Sequence, residues 1–518
     1  MARALYTRRL DSGVKPAAAV GRRGATLSRL HSLGLPVPPA FAIGAAAFRS
    51  WQAAGGTPPP DFSRELSRRL DELGTGGVLR VRPSPLGTAN PTGGASAQTV
   101  ERDQVMPALE AVWRAHPDAP VTVQRLPRDG GEQSGHGLFV SRDPLTGSPG
   151  PTIRFRVGER GPKDLRRDLP AAHEALEAAA SLLETVFCDM CAIEFMIDRR
   201  ELWLLDAFAP QRSGPAAVRV AVEMVDEALL SVHAALRRIP LWAFEQAQAP
   251  VFAHPQEIER ICPARPLAPG AAVGGAVFEP QEADRRAAAG EPVVLVAAAQ
   301  EAERAVTQWA PSAVVVAGPM EMDVFPTRPA VCHAPELVVD RQRRHARAAS
   351  GRLLHAGQPV SVDGRAGLVA AGEVRLVAAQ PDPHVAYVLP WCDELRQLTV
   401  AGIAPSSWSR VSTVEAARAV SGAPALIDPG GAVDGAARDE LLRELVAAAL
   451  KAGSSELGII IPSPLGGWDL HPPPAPWRLV VAQPGLEWAA RLLAARTPCD
   501  GAGADASQLP SAHRWASA

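Results

Sequence analysis

The chain has 518 residues, with Lys+Arg 53 against Asp+Glu 55 and a formal net charge of −2; at roughly 100–200 residues per domain it has room for three or four domains with their own cores. A single small module is excluded, as are a strongly basic nucleic-acid surface and an acidic interaction tail. The start, Met1-Ala2-Arg3-Ala4-Leu5-Tyr6, has no apolar signal core, the six cysteines are too few for a disulfide framework, and no apolar run approaches the ~20 residues of a bilayer span, so a soluble cytoplasmic protein is expected.

Residues 16–45 read as loop, helix, turn and strand. Gly21-Arg22-Arg23-Gly24 leads into a helix with Leu27, Leu30 and Leu33 on one face, and Gly34 stops it before Pro36. A Gly-flanked basic turn entering a helix can hold phosphate, because free backbone N–H groups and the helix dipole favour an anion there; an ordinary helix start with solvated arginines has the same letters. Val78–Arg82 reads as a buried strand ending in Arg82, followed by a Pro/Gly/Ser/Thr loop over 83–94. Val121–Arg125 and His136–Ser141 read as strands, the second running into the turn Arg142-Asp143-Pro144-Leu145-Thr146-Gly147. Ala171–Phe187 reads as a helix, Ala192–Asp198 and Glu201–Asp206 as a hairpin, and 214–236 as a second helix. Within the hairpin Ile193, Phe195 and Ile197 alternate against Glu194.

Residues 239–262 have the mixed character of a linker. From Pro263 to Val377 short apolar runs predict a β-rich α/β region, with two short strands around Gly364. Further on, 436–453 reads as an amphipathic helix, 457–462 as a buried strand, 472–476 as a Pro-rich break and the tail after Cys499 as disordered. Cys188-Asp189-Met190-Cys191 has the spacing of a metal or redox pair, but no second pair follows and its flanks are apolar, so a structural role is expected.

The order of motifs over about 15–378 resembles pyruvate phosphate dikinase and its relatives among the phosphoenolpyruvate-utilising phosphotransferases. Gly21-Arg22-Arg23-Gly24-Ala25-Thr26-Leu27 with Leu33-Gly34-Leu35-Pro36-Val37-Pro38-Pro39 is similar to the opening of that family's ATP-grasp domain, Gly-Gly-Lys-Gly followed by Leu-Gly-x-Pro-x-Pro-x-Gly-Phe. Ser141-Arg142-Asp143-Pro144-Leu145-Thr146-Gly147 is similar to its [Ser/Thr]-Arg-[Asp/Asn]-Pro-x-Thr-Gly. Cys188–Phe195 and Leu202–Asp206 resemble its Arg-Asp-Met-Gln-Asp-x-Glu-Phe and Leu-x-x-Leu-Gln-Thr-Arg, and Ala268–Gly274 its Ser-Pro-Gly-Ala-Ala-x-Gly. The resemblance implies an α/β chain in five parts. These are an ATP-grasp-like N-terminal domain over 1–238, the linker over 239–262, a swivelling β/β/α phosphohistidine-like domain over 263–378, a small C-terminal α/β region over 379–498, and a disordered tail over 499–518.

The departures bear on function. The family's carrier lies in Gly-Gly-Met-Thr-Ser-His-Ala, since a nucleophilic imidazole must accept and release the phosphoryl group. Here the corresponding stretch is Ala317-Gly318-Pro319-Met320-Glu321-Met322-Asp323-Val324, and no histidine occurs between His254 and His333. Asp323 is expected to be a surface carboxylate and His333 a structural histidine. Arg82 stands where the family has a phosphate-contacting arginine, and Arg23 replaces its lysine. Glu194 is kept, Ala192 stands for an acidic residue, and Asp206 and Phe208 stand for the family's Gln and Arg. A three-residue hairpin loop, Arg199–Glu201, would set Glu194 and Asp206 opposite one another, where Mg²⁺ could bridge them with nucleotide phosphates; a two-residue loop would put them on opposite faces. About 140 residues follow Val377, below the ~200 of the shortest (β/α)8 barrels, so the family's pyruvate-binding barrel is expected to be absent.

The expected protein is a degenerate, pyruvate phosphate dikinase-like pseudoenzyme that binds nucleotide, with ATP and Mg²⁺ as cofactors, and does not complete the pyruvate reaction. A non-catalytic regulatory or scaffold protein with a protein partner, and a kinase with another acceptor, stay open. Neither nucleic acid nor membrane is an expected partner. Arg23, Arg82 and Glu194 are expected to carry nucleotide binding, and Arg82→Ala to weaken it without lowering the melting temperature of the nucleotide-free protein.

Overall fold

Apolar alternation in short runs, each closed by Gly or Pro, resolves into strands. The computed structural model describes residues 6–74, 76–86, 97–126, 134–157, 164–256, 258–301, 311–318, 326, 328–334, 336–380, 382–395 and short stretches between 399 and 481. The architecture is mixed α/β and divides into two units. One holds the described residues up to Asp143 and from Pro149 to Pro210; the other holds Pro144–Ser148 and the described residues from Gln211 onward.

The first unit begins with β1 (Thr7–Arg9), α1 (Ala17–Ser32), β2 (Ala40–Ile43), α2 (Ala45–Ala53), α3 (Pro60–Leu73), β3 (Val78–Pro83), β4 (Gln98–Val100), α4 (Val105–Ala115) and β5 (Val121–Leu126). Its strands pair antiparallel in the order β1-β2-β5-β3-β4. Helix α3 starts with Pro60, whose fixed φ suits a first turn. Phe62, Leu66, Leu70 and Leu73 fall on one face and pack with Val112 and Trp113 of α4 against Leu79, Val81, Val121 and Val123 of the sheet. At about 1.5–3 kcal/mol for each large apolar side chain fully buried, this layer fixes β3 firmly.

A second antiparallel sheet, ordered β7-β6-β8-β9, is built from β6 (Gly135–Arg142), β7 (Pro149–Arg156), β8 (Ala192–Asp198) and β9 (Glu201–Phe208). Helices α5 (Leu165–Asp168) and α6 (Pro170–Phe187) lie between β7 and β8 in the chain. Leu176, Leu183 and Phe187 of α6 pack on Phe139, Ile193, Phe195 and Ile197, in one cluster with Val20, Leu27 and Leu30 of α1 and Ala42 of β2. Helix α1 therefore shares a core with both sheets, and its first turn is held between them.

The second unit opens with α7 (Gly214–Asp226) and α8 (Val232–Arg238), two helices where one was expected, because Ala228 takes a left-handed φ of 58° between them. Segment 239–262, expected as a linker, contains α9 (Leu241–Ala247), β10 (Val251–Phe252) and most of β11 (Arg260–Pro263). With β12 (Arg265–Ala268), β13 (Ala271–Val277), β14 (Val293–Ala298), β15 (Ala313–Ala317), β16 (Ala330–Cys332), β17 (Pro359–Asp363) and β18 (Leu368–Ala371), β11 forms an eight-stranded sheet. Its β13 to β16 run parallel at the centre, and Val294, Val296 and Val315 face one core while Leu295, Val314 and Val316 face another. A sheet buried on both faces explains the unbroken apolar run Val293–Ala298, where no alternation shows. Further strands at Thr399–Ala401, Ser409–Val411, Ala425–Ile427, Leu457–Ile461 and Trp477–Val481 form a parallel sheet. The expected helix at 436–453 lies mostly, and the Pro-rich break and tail entirely, outside the described residues.

Cys188, Cys191, Cys262, Cys332 and Cys392 are all buried, and none of them is in a disulfide. Burial drives the Cys191 thiol far above its ordinary range and the Cys262 thiol up to about 11. A thiol-disulfide reagent at about pH 8 is therefore expected to leave these five unmodified in the native protein and to reach them only in denaturant; rapid labelling of Cys188 or Cys191 would restore a redox role to the pair.

Candidate functional site

Alternation along β3 sends Leu79 and Val81 into the core and leaves Arg80 and Arg82 on the other face. Both arginines reach Glu194 of β8. Arg82 donates bidentately, Nη1 to Oε2 at 2.6 Å and Nη2 to Oε1 at 2.5 Å, and Arg80 donates from Nη1 to Oε1 at 2.8 Å. Arg23, in the first regular turn of α1, donates from Nε to Asp206 Oδ2 at 2.7 Å and from Nη1 to the Pro83 carbonyl at 3.1 Å. All four residues expected at the site, Arg23, Arg82, Glu194 and Asp206, thus come together, and Arg80 joins them. Arg82 is 5% exposed and Asp206 2%.

The β8–β9 hairpin has a two-residue loop, with Asp198 opposite Glu201 and both Arg199 (φ 49°) and Arg200 (φ 73°) left-handed. That loop alone would set Glu194 opposite Leu205. The register instead steps from Phe195↔Leu204 to Glu194↔Asp206, so Leu205 is a bulge residue. Leu204 and Ala207, three apart, both enter the core, which leaves Asp206 on the face of Glu194. The register expected of a three-residue loop is reached by a shorter loop and a bulge.

The start of α1 is not an open anion cradle. Gly21 breaks the helix with φ 72° and ψ 172°, and the turn is filled by the segment after β3: Gly24 N donates to Ser84 Oγ at 3.2 Å, Ser84 Oγ donates to the Val20 carbonyl at 3.0 Å, and Arg22 N donates to the Pro85 carbonyl at 3.3 Å. Ser84 and Pro85 each satisfy a backbone donor that a phosphate would otherwise take. What the turn contributes is the placement of its arginine side chains.

Three guanidiniums (Arg23, Arg80, Arg82) and two carboxylates (Glu194, Asp206) act on one another in this cluster, a formal surplus of one positive charge, with Arg22 beside them. Burial pushes Glu194 up, but Arg82, then Arg80 and Arg23, pull it well below the usual carboxylate range. Burial lowers Arg80 in spite of Glu194, with Arg82 and Arg23 adding repulsion; Arg22 is lowered by burial and by Arg23. The expected Mg²⁺ seat between Glu194 and Asp206 does not fit this geometry, because guanidiniums hold both Glu194 oxygens and Asp206 Oδ2, while Asp206 Oδ1 accepts from Ala207 N at 2.9 Å. Among the described residues no group of three or more His, Cys, Asp or Glu is placed to hold a metal. The expectation that Arg82→Ala spares apo stability also gives way, since Arg82 is buried and is the bidentate partner of the partly buried Glu194.

The Ser141-Arg142 pair of the turn motif lies elsewhere. Ser141 Oγ donates to Glu184 Oε1 and accepts from Cys191 N at 3.0 Å, while Arg142 Nε donates to Glu184 Oε1 at 3.0 Å, so the pair ties β6 to α6. In the second unit, the Leu145 carbonyl accepts from Ser213 Oγ at the start of α7. Gly318 closes β15 and its carbonyl accepts from His333 N at 3.0 Å; Asp323 lies outside the described residues.

Guanidiniums from one sheet and one helix start thus converge on the carboxylates of a second sheet within one α/β unit. Over about half its length the chain is a distant homologue of the pyruvate, phosphate dikinases. It is 28% identical over 291 residues to the chloroplastic pyruvate, phosphate dikinase 1 of Arabidopsis thaliana, covering 52% of this chain and 30% of that protein. To the Clostridium symbiosum pyruvate, phosphate dikinase it is 27% identical over 338 residues, covering 58% and 38%. The chain spans about a third of the length of these relatives. No protein-family model matches it. Among solved structures it is similar to the D-alanine–D-alanine ligase of Bacillus anthracis complexed with ATP, at 15% identity and a TM-score of 0.23 over 36% of this chain and 53% of that one. For the D-cycloserine synthetase DcsG the identity is 16% and the TM-score 0.24, over 41% and 71%. No described helix is long and apolar enough to cross a membrane.

Proposed function

We propose that this chain is a nucleotide-binding, pyruvate phosphate dikinase-like protein whose ATP-grasp-like N-terminal domain, 1–238, takes the phosphates of ATP on Arg23 and Arg82 and does not pass them on to pyruvate. The observation that carries this reading is the convergence of Arg23 from α1 and of Arg80 and Arg82 from one face of β3 on the β8–β9 hairpin. Glu194 acts as the positioning residue for Arg80 and Arg82. The kinship with the dikinases favours ATP over other anions. Calorimetric titration with ATP, ADP and AMP tests it: ATP is expected to bind more tightly than AMP, and Arg23→Gln to weaken ATP by about ten- to a hundredfold, the worth of a charged hydrogen bond to phosphate. Absence of ATP binding by the intact protein would sink the reading.

The loss of onward transfer is argued from residues 263–378, taken as a swivelling domain without its carrier, since no histidine falls between His254 and His333. Incubation with γ- and β-labelled ATP is expected to leave no acid-labile, base-stable label on peptides from 263–378. Such a label, above all on His333, would make the chain an active phosphotransferase. The compensation of both carboxylates by arginine favours, as a second reading, a regulatory or scaffold role in which the cluster serves stability alone.

A further inference from the structure

We propose that the arginine cluster binds its nucleotide without a divalent cation, so that its ligand is the metal-free polyphosphate tail. This inference rests on the nucleotide reading above and departs from the bridging Mg²⁺ that facing carboxylates call for. A dication needs carboxylate oxygens with lone pairs to give. Here Glu194 accepts three guanidinium bonds, two from Arg82 and one from Arg80, and Asp206 is shared between Arg23 and a backbone N–H. To seat a cation, these bonds must break, leaving two to three buried guanidiniums uncompensated beside an added positive charge.

An anion meets the opposite situation. Arg23, Arg80 and Arg82 outnumber Glu194 and Asp206 by one positive charge, and the Nε of Arg82 is a buried donor with no hydrogen-bond partner, on a side chain nine-tenths withdrawn from water. Buried donors are nearly always paired, so an unpaired one inside a cationic cluster marks a missing acceptor. Free ATP presents about four negative charges and its magnesium complex about two, so a cation-rich site with no carboxylate to spare prefers the free tail.

Titrating the full chain with ATP in EDTA and again in excess Mg²⁺, with inorganic tripolyphosphate in EDTA as a third arm, decides the matter. The expected result is that ATP binds in EDTA at least about tenfold more tightly than in Mg²⁺, that tripolyphosphate competes with it, and that Arg23→Gln weakens both ligands about tenfold while the exposed Arg49→Gln leaves them unchanged. Binding that requires Mg²⁺, or is tighter with it, would overturn the metal-free proposal and leave the nucleotide reading standing. Tripolyphosphate binding without ATP binding would overturn the nucleotide reading and keep the cluster as an anion site. No binding in any arm would overturn both.

Discussion

Glu194→Ala is expected to lower the stability of the unliganded protein by up to about 3 kcal/mol, the low end of the cost of removing one partner from a buried ion pair, because Arg82 is buried while Glu194 is a quarter exposed. The substitution leaves Arg80 and Arg82 facing one another with Arg23 close enough to repel Arg80, and no water-filled surface to relax into on the Arg82 side. Replacing both members of the bidentate pair, as in Glu194→Leu with Arg82→Met, is expected to recover much of that loss, because the double variant buries neither charge. Single losses that simply add would mean the pair is uncoupled. The acid limb provides an independent readout. Glu194 is held below its unfolded value, so its contribution is complete above the ordinary glutamate pKa of about 4.3 and is lost as pH falls toward the folded value. Wild-type stability should therefore drop steeply below about pH 4, and Glu194→Gln should flatten that limb; equal acid slopes would show that Glu194 is not the group being protonated.

The candidate site was legible in the sequence to the extent that its residues sit on regular elements. Glu194 alternates with Ile193 and Phe195, so its face could be read at once. Arg80 was missed although the letters Val78-Leu79-Arg80-Val81-Arg82 alternate as plainly; reading the run simply as a buried strand ending in Arg82 hid the polar side of β3. The relation of Glu194 to Asp206 could not be read, because a bulge at Leu205 has no fixed signature and shifts the register by one residue. The basic turn was located, but not the fact that Ser84, sixty residues on, fills it. Helices α2, α3 and α4 also went unread. Their helical face is plain once seen, yet the pairing of β3 with β5 across 37 intervening residues, which gives that face something to cover, is a tertiary fact.

Gly21→Ala is expected to be the most damaging single substitution in the first unit that changes no charge. With φ 72° and ψ 172°, Gly21 occupies a region that only glycine enters freely, at a cost of about 1–3 kcal/mol for any other residue. A Cβ there would also stand 1.6 Å from the Ser84 carbonyl oxygen and 2.3 Å from its hydroxyl. The first obstacle is backbone, so no rotamer change relieves it, and overpacking of this kind adds about 1–3 kcal/mol more. Gly55→Ala separates the two terms: Gly55 also has a positive φ, 65°, but nothing lies within 4 Å of its added Cβ, so it should show the strain without the clash. The clash at Gly21 is transmitted to the site. Ser84 follows Arg82 by two residues and caps the helix that holds Arg23, so pushing them apart separates the two arginines that the anion needs together. Gly21→Ala should therefore lower the unfolding midpoint more than Gly55→Ala and, in whatever fraction stays folded, weaken tripolyphosphate binding. Equal midpoints for the two variants would mean that the close packing of Ser84 on Gly21 does not hold α1 against β3.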